Sequence, residues 1–414
     1  MVLGFTAALP VGLIGLASIL VLVYAAEVVV SRMQGVAKHY GISEVVIAMT
    51  IVSIGTSLPE LSLHLVGSFN ILLSDGNILS YLLSQPASFL LDSFGVVLSS
   101  PESAQSFKDV SATVLGSNIG SDVVQQTLVL GLVIFSSSLI ADKHSFNFSR
   151  KFLIRDYAPM MGTTLMTLIL ALNWPNVINF LFNGGKLAAG GTLTRLDGLV
   201  LVGSFVAYTY YLYTTRKEEL AEQGSSDPST RPRIDFAVGI LAMFAVIGSA
   251  EVFLRVVELA IAQTGLSGSM IGVASVGVVS AFPEMITAIS GLRQGSEGIS
   301  LGTLIGSNIT NPLLAIGAGS VISTYAVPGP LVLWDLPMET ATAGILLAYM
   351  FSKDAVGDYL AVVARGVGMD GLADRFEAME NRVISIAGAG LLIVLYFVYL
   401  YVRFKYFQYD FVEV

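Results

Sequence analysis

The chain has 414 residues, of which 54% are hydrophobic and 12% charged, with a formal net charge of −9 and no cysteine. This composition has too few charges for a soluble surface, so we predict a polytopic membrane protein. The negative charge argues against a nucleic-acid partner, and the lack of cysteine excludes disulfides and thiolate metal sites.

Ten apolar segments follow along the chain, each of about the ~20 residues that a bilayer requires, or longer. They lie near 9–31, 43–70, 108–140, 154–174, 196–215, 235–262, 266–293, 298–325, 331–351 and 384–403. No basic leader flanks the first segment, so we interpret it as a retained span and not as a cleaved signal. The pattern predicts an all-α, multi-pass protein in the lipid bilayer.

One acid-bearing turn occurs twice, as GTSLPE at 55–60 and as VSAFPE at 279–284. Its glutamates, Glu60 and Glu284, are 284 − 60 = 224 positions apart, and the same offset superposes Glu27 on Glu251. The chain is therefore a duplication with five predicted spans in each half. Because five is odd, the second half must enter the membrane from the opposite side, which predicts an inverted-topology repeat with broken helices.

The polar stretch 216–234 is the predicted linker between a first repeat, 1–215, and a second repeat, 235–414. Basic residues follow the odd-numbered spans, so the positive-inside rule predicts an outside N-terminus and a cytoplasmic linker. They are Arg32, Lys38, Lys143, Arg150, Lys151, Arg155, Arg216, Lys217, Arg231, Arg233, Arg293, Lys353 and Arg365. A minority contradicts this topology: Lys108, Lys186, Arg195, Arg403 and Lys405.

Two segments do not fit the repeat. Glu60 lies 56 positions before Gly116, whereas Glu284 lies 22 before Gly306, so the first repeat holds 56 − 22 = 34 extra residues within about 74–109. We interpret them as an external hairpin or interfacial segment, because one added span would reverse every later loop. The second segment, 354–382, is predicted to be an amphipathic helix on the inner face.

The repeated turn has the chemistry of a cation site. Proline at position 59 removes a backbone donor in mid-span, so the helix is predicted to kink or unwind and to expose carbonyls around 53–56. Hard cations such as Ca²⁺ bind carboxylate, carbonyl and hydroxyl oxygens. Thr56 and Ser57 precede Glu60 by four and three residues, and Ser280 precedes Glu284 in the same way. Two opposed glutamates would balance one divalent ion.

A second repeated element is GSNI, at 116–119 and 306–309. Its glycines permit close helix approach, and the oxygens of Ser117, Asn118, Ser307 and Asn308 can complete a coordination shell. Alone this motif is weak, but it follows Pro-Glu in both halves.

On these residues the chain resembles the sodium/calcium exchanger family of the calcium/cation antiporter superfamily. The resemblance covers both five-helix halves without their insertions and is complete in the first turn, 55–60. It implies that Glu60 and Glu284 are the central Ca²⁺ ligands and that the carbonyls of Ser53 and Gly277 join them. It also implies that five hydroxyls line the ion sites, those of Thr56, Ser57, Ser280, Ser117 and Ser307.

Three departures from the family pattern bear on the counter-ion. Ala281 stands where the turn is expected to carry a serine, and the position four after the GSNI serine is Ser121 in one copy and Asn311 in the other. The first repeat also has four extra residues before its closing glycine, in a stretch that carries Asp122, Gln125 and Gln126. Either Asp122 or these amides can face the site, and the sequence does not decide which.

We therefore predict an antiporter that exports Ca²⁺ across the plasma membrane of a prokaryote in exchange for H⁺, since the same two carboxylates can accept protons. Exchange for Na⁺ is the alternative, because the first turn matches the sodium-coupled branch, and a cation channel is a remoter one. No enzymatic motif or cofactor is indicated, and an oligomer is not required.

Other polar residues within the apolar segments allow two interpretations each. Glu27 and Glu251 serve either helix packing or the ion pathway, and Arg255 follows Glu251 by one turn as a possible partner. His64, one turn after Glu60, is either a packed polar residue or a proton relay.

Overall fold

The computed structural model describes residues 5–41, 44–74, 104–140, 145–147, 152–183, 190–215, 229–261, 267–372 and 383–411. Ten long helical segments are present in this part of the chain, and we number them as spans 1 to 10. They are Phe5–Tyr40, 44–74, 104–140, Leu153–Ala171, Arg195–Thr215, Pro232–Ile261, Gly268–Arg293, Glu297–Ile322, 331–366 and Ile386–Tyr406.

The described helices are those of a multi-pass membrane protein. Seven are long and apolar enough to cross a bilayer, and nine are if each of two bent pairs counts as one span. The remaining predicted span, Arg195–Thr215, has 21 residues and is long enough to cross but carries many hydroxyl groups. The predicted all-α membrane fold is confirmed, and each of the ten apolar segments forms helix.

The two halves break their helices at equivalent residues. Span 2 contains a π-helical turn at Ala48–Val52, a short helix Ser53–Thr56 and then Leu58–Ser74. Span 7 repeats the order with Gly272–Val276, Gly277–Ser280 and Phe282–Arg293. Each of these starts is 224 positions after its counterpart. The duplication seen in the sequence therefore extends to the local backbone.

The break at the repeated turn is narrower than predicted. Only Ser57 and its counterpart Ala281 leave the helical state, and Ser57 N still donates to Ser53 O at 2.9 Å. The two parts of span 2 are bent by 47°. The kink at Pro59 is present, but the backbone does not unwind, because the helical hydrogen bonds on either side of the proline are kept.

π-helical turns also interrupt spans 3, 4, 8 and 9, at Gln125–Val129, Leu153–Tyr157, Asn311–Ile316 and Leu331–Asp335. They too form equivalent pairs, in the third and fourth span of each half. π turns are found mostly at functional sites, and here one occurs in the second, third and fourth span of each repeat.

Short strands join the two halves at both ends of the helices, and the sequence did not predict them. β1 (Ser145–Asn147), after span 3, pairs antiparallel with β4 (Val383–Ser385), before span 10. β2 (Gly191–Leu193), before span 5, pairs antiparallel with β3 (Tyr325–Val327), after span 8. Each pair joins connections that the ten-span topology places on one side of the membrane.

The two predicted insertions have different outcomes. Residues 75–103 of the first lie outside the described part of the chain, as do 216–228 of the linker. The second predicted insertion, 354–382, does not begin as a separate helix, because span 9 continues without a break to Gly366. Its residues 373–382 lie outside the described part of the chain. A short helix, Trp174–Asn183, was not predicted and turns 79° away from span 4.

Spans 1 and 6 pack against each other apart from the main core. The main cluster of buried apolar side chains joins spans 2 to 5 and 7 to 10. A second cluster contains Ala26, Val29 and Met33 of span 1 with Met243 and Val246 of span 6, and it contacts the start of span 2 and Ile286 of span 7. The structure is thus a large helical core with a two-helix pair beside it.

Candidate cation site

The two repeated glutamates lie at the centre of the core, each in the first turn after its helix break. Their side chains are 1% and 0% exposed for Glu60 and Glu284 respectively. Each carboxylate has one oxygen, Oε2, that is buried and without a hydrogen-bond partner. A buried acceptor without a partner is costly, so both oxygens are suited to bind a cation.

The hydroxyls of each repeat face the glutamate of the other repeat. Ser280 of the second turn lies close to Glu60, and Thr56 of the first turn lies close to Glu284. Among the described residues, the Thr56 hydroxyl donates to Ser53 O at 3.3 Å and makes no hydrogen bond to Glu60. The site is therefore built across the interface between the repeats.

The GSNI elements bring the two repeats into contact. A side chain on Gly116 would collide with the backbone of Ser269 in span 7, and one on Gly306 with Met49 and Ser53 in span 2. Only glycine permits this approach, as the motif predicted. Ser307 donates towards Glu284 Oε1 at 3.4 Å, and Ser53 Oγ lies 2.9 Å from Thr310 Oγ1.

Several of the predicted ligands have oxygens without partners. These are buried atoms with no hydrogen bond: Ser57 Oγ, Ser117 Oγ, Asn118 Oδ1 and Asn311 Oδ1. The carbonyls of Ser53 and Gly277 each accept a helical amide and also a hydroxyl, from Thr56 and Ser280, both at 3.3 Å. The hydroxyls and amides are therefore the more open oxygens of the region.

The extra residues of the first repeat do reach the site region, which the sequence left undecided. Asp122 is 1% exposed and accepts a hydrogen bond from Asn311 Nδ2 at 2.7 Å. Gln125 donates to Ser121 at 3.1 Å, and Gln126 donates to Asn308 at 2.9 Å. All three make buried hydrogen bonds with the second repeat, and Gln125 and Gln126 begin the π turn Gln125–Val129.

Two more acids are buried nearby, and neither was predicted as a site residue from the sequence. Glu339 of span 9 is 2% exposed and makes no hydrogen bond or ion pair among the described residues. Asp335, one turn earlier, pairs with Arg403 at 2.9 Å, and both side chains are 0% exposed. An ionisable residue within an apolar segment was the available signal for Glu339. Arg403, a predicted topology exception, is explained by this buried pair.

His64 and Glu27 have structural partners. His64 Nδ1 lies 3.1 Å from Tyr325 Oη, which also contacts Ser68 at 2.5 Å, so the ring joins span 2 to β3. Glu27 accepts from Arg293 at 2.5 Å and thereby ties span 1 to span 7. The side chains of Glu251 and Arg255 lie outside the described residues.

The charge of the region limits what it can hold. Among the described residues, no group of three or more His, Asp or Glu side chains is arranged to bind a metal ion. A cation between Glu60 and Glu284 would therefore have two carboxylates as charged ligands, and neutral oxygens would supply the remainder. That set suits one divalent ion of the hard type.

The chain matches a family model described as sodium/calcium exchanger protein over residues 11–82, 97–214 and 234–405. It is 25% identical over 329 residues to the inner membrane protein YrbG of Escherichia coli, covering 77% of this chain and 80% of the relative. It is 22% identical to the sodium/calcium exchanger MaX1 of Methanosarcina acetivorans, covering 82% and 90%.

It is also 22% identical to a putative antiporter, CaxA, of Alkalimonas amylolytica, covering 80% of this chain and 87% of that one. Among solved structures, it superposes on the sodium-calcium exchanger NCX_Mj with a TM-score of 0.59 at 17% identity, covering 94% and 97% of the two chains. At that identity the superposition establishes the fold.

Proposed function

Because the chain belongs to the sodium/calcium exchanger family, we propose that it exports Ca²⁺ in exchange for H⁺ and binds Ca²⁺ between Glu60 and Glu284. The protein is an integral, multi-pass membrane exchanger. The counter-ion, the direction of Ca²⁺ transport and the Ca²⁺ ligands are proposals.

One observation carries the proposal. Two buried glutamates from opposite repeats each retain an oxygen without a partner, and hydroxyls of the other repeat face them. No described basic side chain forms an ion pair with either glutamate. A divalent cation would supply the two positive charges and the missing partner for both oxygens at once.

The second turn favours protons as the counter-ion. Ala281 is 1% exposed and provides no oxygen, whereas its counterpart Ser57 has a buried hydroxyl without a partner. One candidate ligand for a monovalent metal ion is thus absent, while protonation needs only the two carboxylates. Two protons for one Ca²⁺ would leave the exchange electrically neutral.

Exchange for Na⁺ is the second candidate, and a specific pair of residues supports it. Asp122 with Asn311 places a further carboxylate and an unpaired amide oxygen beside the central pair. The relatives include the sodium/calcium exchanger MaX1 and the putative antiporter CaxA.

We further propose that residues 1–215 and 235–414 are the two repeats, with the N-terminus outside and the linker 216–234 in the cytoplasm of a prokaryote. The separate packing of spans 1 and 6 supports a movement of this pair against the core between outward- and inward-open states. When the site is empty, two bare carboxylates would oppose that movement, which enforces exchange.

Ca²⁺ uptake into proteoliposomes tests the counter-ion. We expect uptake when a pH gradient is imposed without sodium, and much less when a sodium gradient is imposed at equal pH. Uptake with sodium alone would replace the proposal by its alternative. Fast Ca²⁺ current without any counter-ion gradient would indicate a channel.

A further inference from the structure

A continuous series of buried hydrogen bonds passes through Asn308 of the second repeat and ends at Glu60. Gln126 Nε2 donates to Asn308 Oδ1 at 2.9 Å, and Asn308 Nδ2 donates to Gln125 Oε1 at 2.9 Å. Gln125 Nε2 donates to Ser121 Oγ at 3.1 Å, and Ser121 donates to Glu60 Oε1 at 2.9 Å. These side chains are at most 3% exposed, so no bulk water competes for the bonds.

A backbone carbonyl determines the direction of this series. Asn308 Nδ2 lies 2.8 Å from Leu304 O, which can only accept a hydrogen bond. The amide nitrogen of Asn308 must therefore point there, and its second hydrogen points to Gln125. Because Gln125 accepts through its oxygen, its own nitrogen is directed at Ser121.

The direction decides what Ser121 does to Glu60. Its oxygen already accepts from Gln125, so its single hydrogen is left to donate to Glu60 Oε1. That oxygen is held as an acceptor, which orients the carboxylate and leaves Oε2 as its oxygen without a hydrogen-bond partner.

The repeat-related glutamate has no such support. Ser307 lies 3.4 Å from Glu284 Oε1 but 2.9 Å from the carbonyl of Thr303, which competes for the same hydrogen. Because the shorter bond is the stronger one, Ser307 restrains Glu284 only weakly. Two residues related by the duplication are thus held differently.

We infer that Gln125 is a positioning residue that acts through Ser121 to fix Glu60 as a single-oxygen cation ligand. The inference rests on the proposed Ca²⁺ site. It also assigns a role to the stretch that holds the four extra residues of the first repeat, since Gln125 lies in that stretch. Gln126 lies at the other end of the series, beyond Asn308, and its donor does not point towards Glu60.

Two neighbouring substitutions test the inference, because Gln125 and Gln126 are both buried amides bonded to Asn308. Gln125→Met removes the donor to Ser121 together with the acceptor of Asn308 Nδ2. Gln126→Met removes only the donor to Asn308 Oδ1, and Leu304 O already sets the orientation of Asn308. Equilibrium binding of ⁴⁵Ca²⁺ to the purified full-length protein would be measured, together with thermal unfolding of each variant.

We expect Gln125→Met to weaken Ca²⁺ binding about three- to tenfold, the value of about one buried hydrogen bond, and Gln126→Met to change it less than about twofold. Ser121→Ala combined with Gln125→Met should bind no more weakly than Ser121→Ala alone, within about a factor of two, because both act on one bond.

Equal weakening by Gln125→Met and Gln126→Met would overturn the inference, since it would indicate a general packing effect. An unchanged affinity in Gln125→Met, or additive effects with Ser121→Ala, would also overturn it. If the wild-type protein bound no Ca²⁺, the proposed function would fail instead, so the two failures are distinguishable.

Discussion

Two groups of buried charge in the core differ in how they are balanced. In the outer group, Asp335 is paired with Arg403 at 2.9 Å and also accepts from Tyr399 at 2.7 Å. In the central group, Glu60 and Glu284 have hydroxyl partners, but each keeps an oxygen without one. Both groups lie within membrane-spanning helices and are equally shielded from solvent.

The difference separates structural from functional charge. A buried carboxylate that has its own arginine stabilises contacts between helices, here between spans 9 and 10. A buried carboxylate without a cationic side chain requires a mobile cation or a proton, which is the property of a transport site. By this criterion Glu339, which has no partner among the described residues, belongs with the central group.

The comparison predicts its largest effect for the central pair. Glu60→Gln and Glu284→Gln should each reduce Ca²⁺ uptake into proteoliposomes more than about a hundredfold, because one of the two charged ligands is lost. The melting temperature without Ca²⁺ should not fall, since no ion pair is broken.

Glu27→Gln is the matched control, because Glu27 is also repeated but is already paired with Arg293. It should retain uptake. Near-normal uptake by either central variant would refute the assignment of the ion site.

A substitution in the outer pair, Asp335 and Arg403, should reduce stability. Arg403→Met should lower the free energy of unfolding by about 3–5 kcal/mol, because it leaves the Asp335 charge buried and unpaired. Chemical unfolding in detergent would measure this loss. Lys405→Met, which changes an exposed cation two residues later, should cost less than about 0.5 kcal/mol. A loss of Ca²⁺ affinity in Arg403→Met without a loss of stability would contradict the division.

A smaller effect is expected at the second turn. Ala281→Ser should raise sodium-driven relative to proton-driven uptake about two- to fivefold, because it restores the hydroxyl that Ser57 has in the first turn, worth about one hydrogen bond. Ala288→Ser adds the same hydroxyl to a buried position on the same helix and is the control. If both variants gave the same ratio, the missing hydroxyl would not explain counter-ion choice.

Much of the fold follows from the sequence because the duplication can be read directly. Ten apolar segments and a constant offset of 224 positions predicted the helices and a break before the proline of each turn, which the structure has at Ser57 and Ala281. The narrowness of that break could not be predicted, since it depends on hydrogen bonds kept around Pro59. The short strands were missed because three residues carry no reliable strand pattern.

The sequence predicted which residues form the candidate site better than it predicted which of them contact each other. Glu60 and Glu284 were predicted from the turns. The positions of Thr56 beside Glu284 and of Ser280 beside Glu60 could not be predicted, because they depend on how the two halves pack together. The burial of Asp335 with Arg403 was missed for the same reason, because 68 positions separate the two residues. The orientation of the Gln125 amide could not be predicted, because it depends on Asn308 and on the carbonyl of Leu304 in the other repeat.

Equilibrium binding of ⁴⁵Ca²⁺ to the purified protein, compared between wild type and the double variant Glu60→Gln/Glu284→Gln, is the most direct test. We predict one Ca²⁺ bound per wild-type chain and none bound by the double variant, with the two proteins melting at similar temperatures. Ca²⁺ binding that persists in the folded double variant would contradict a site built from these two glutamates.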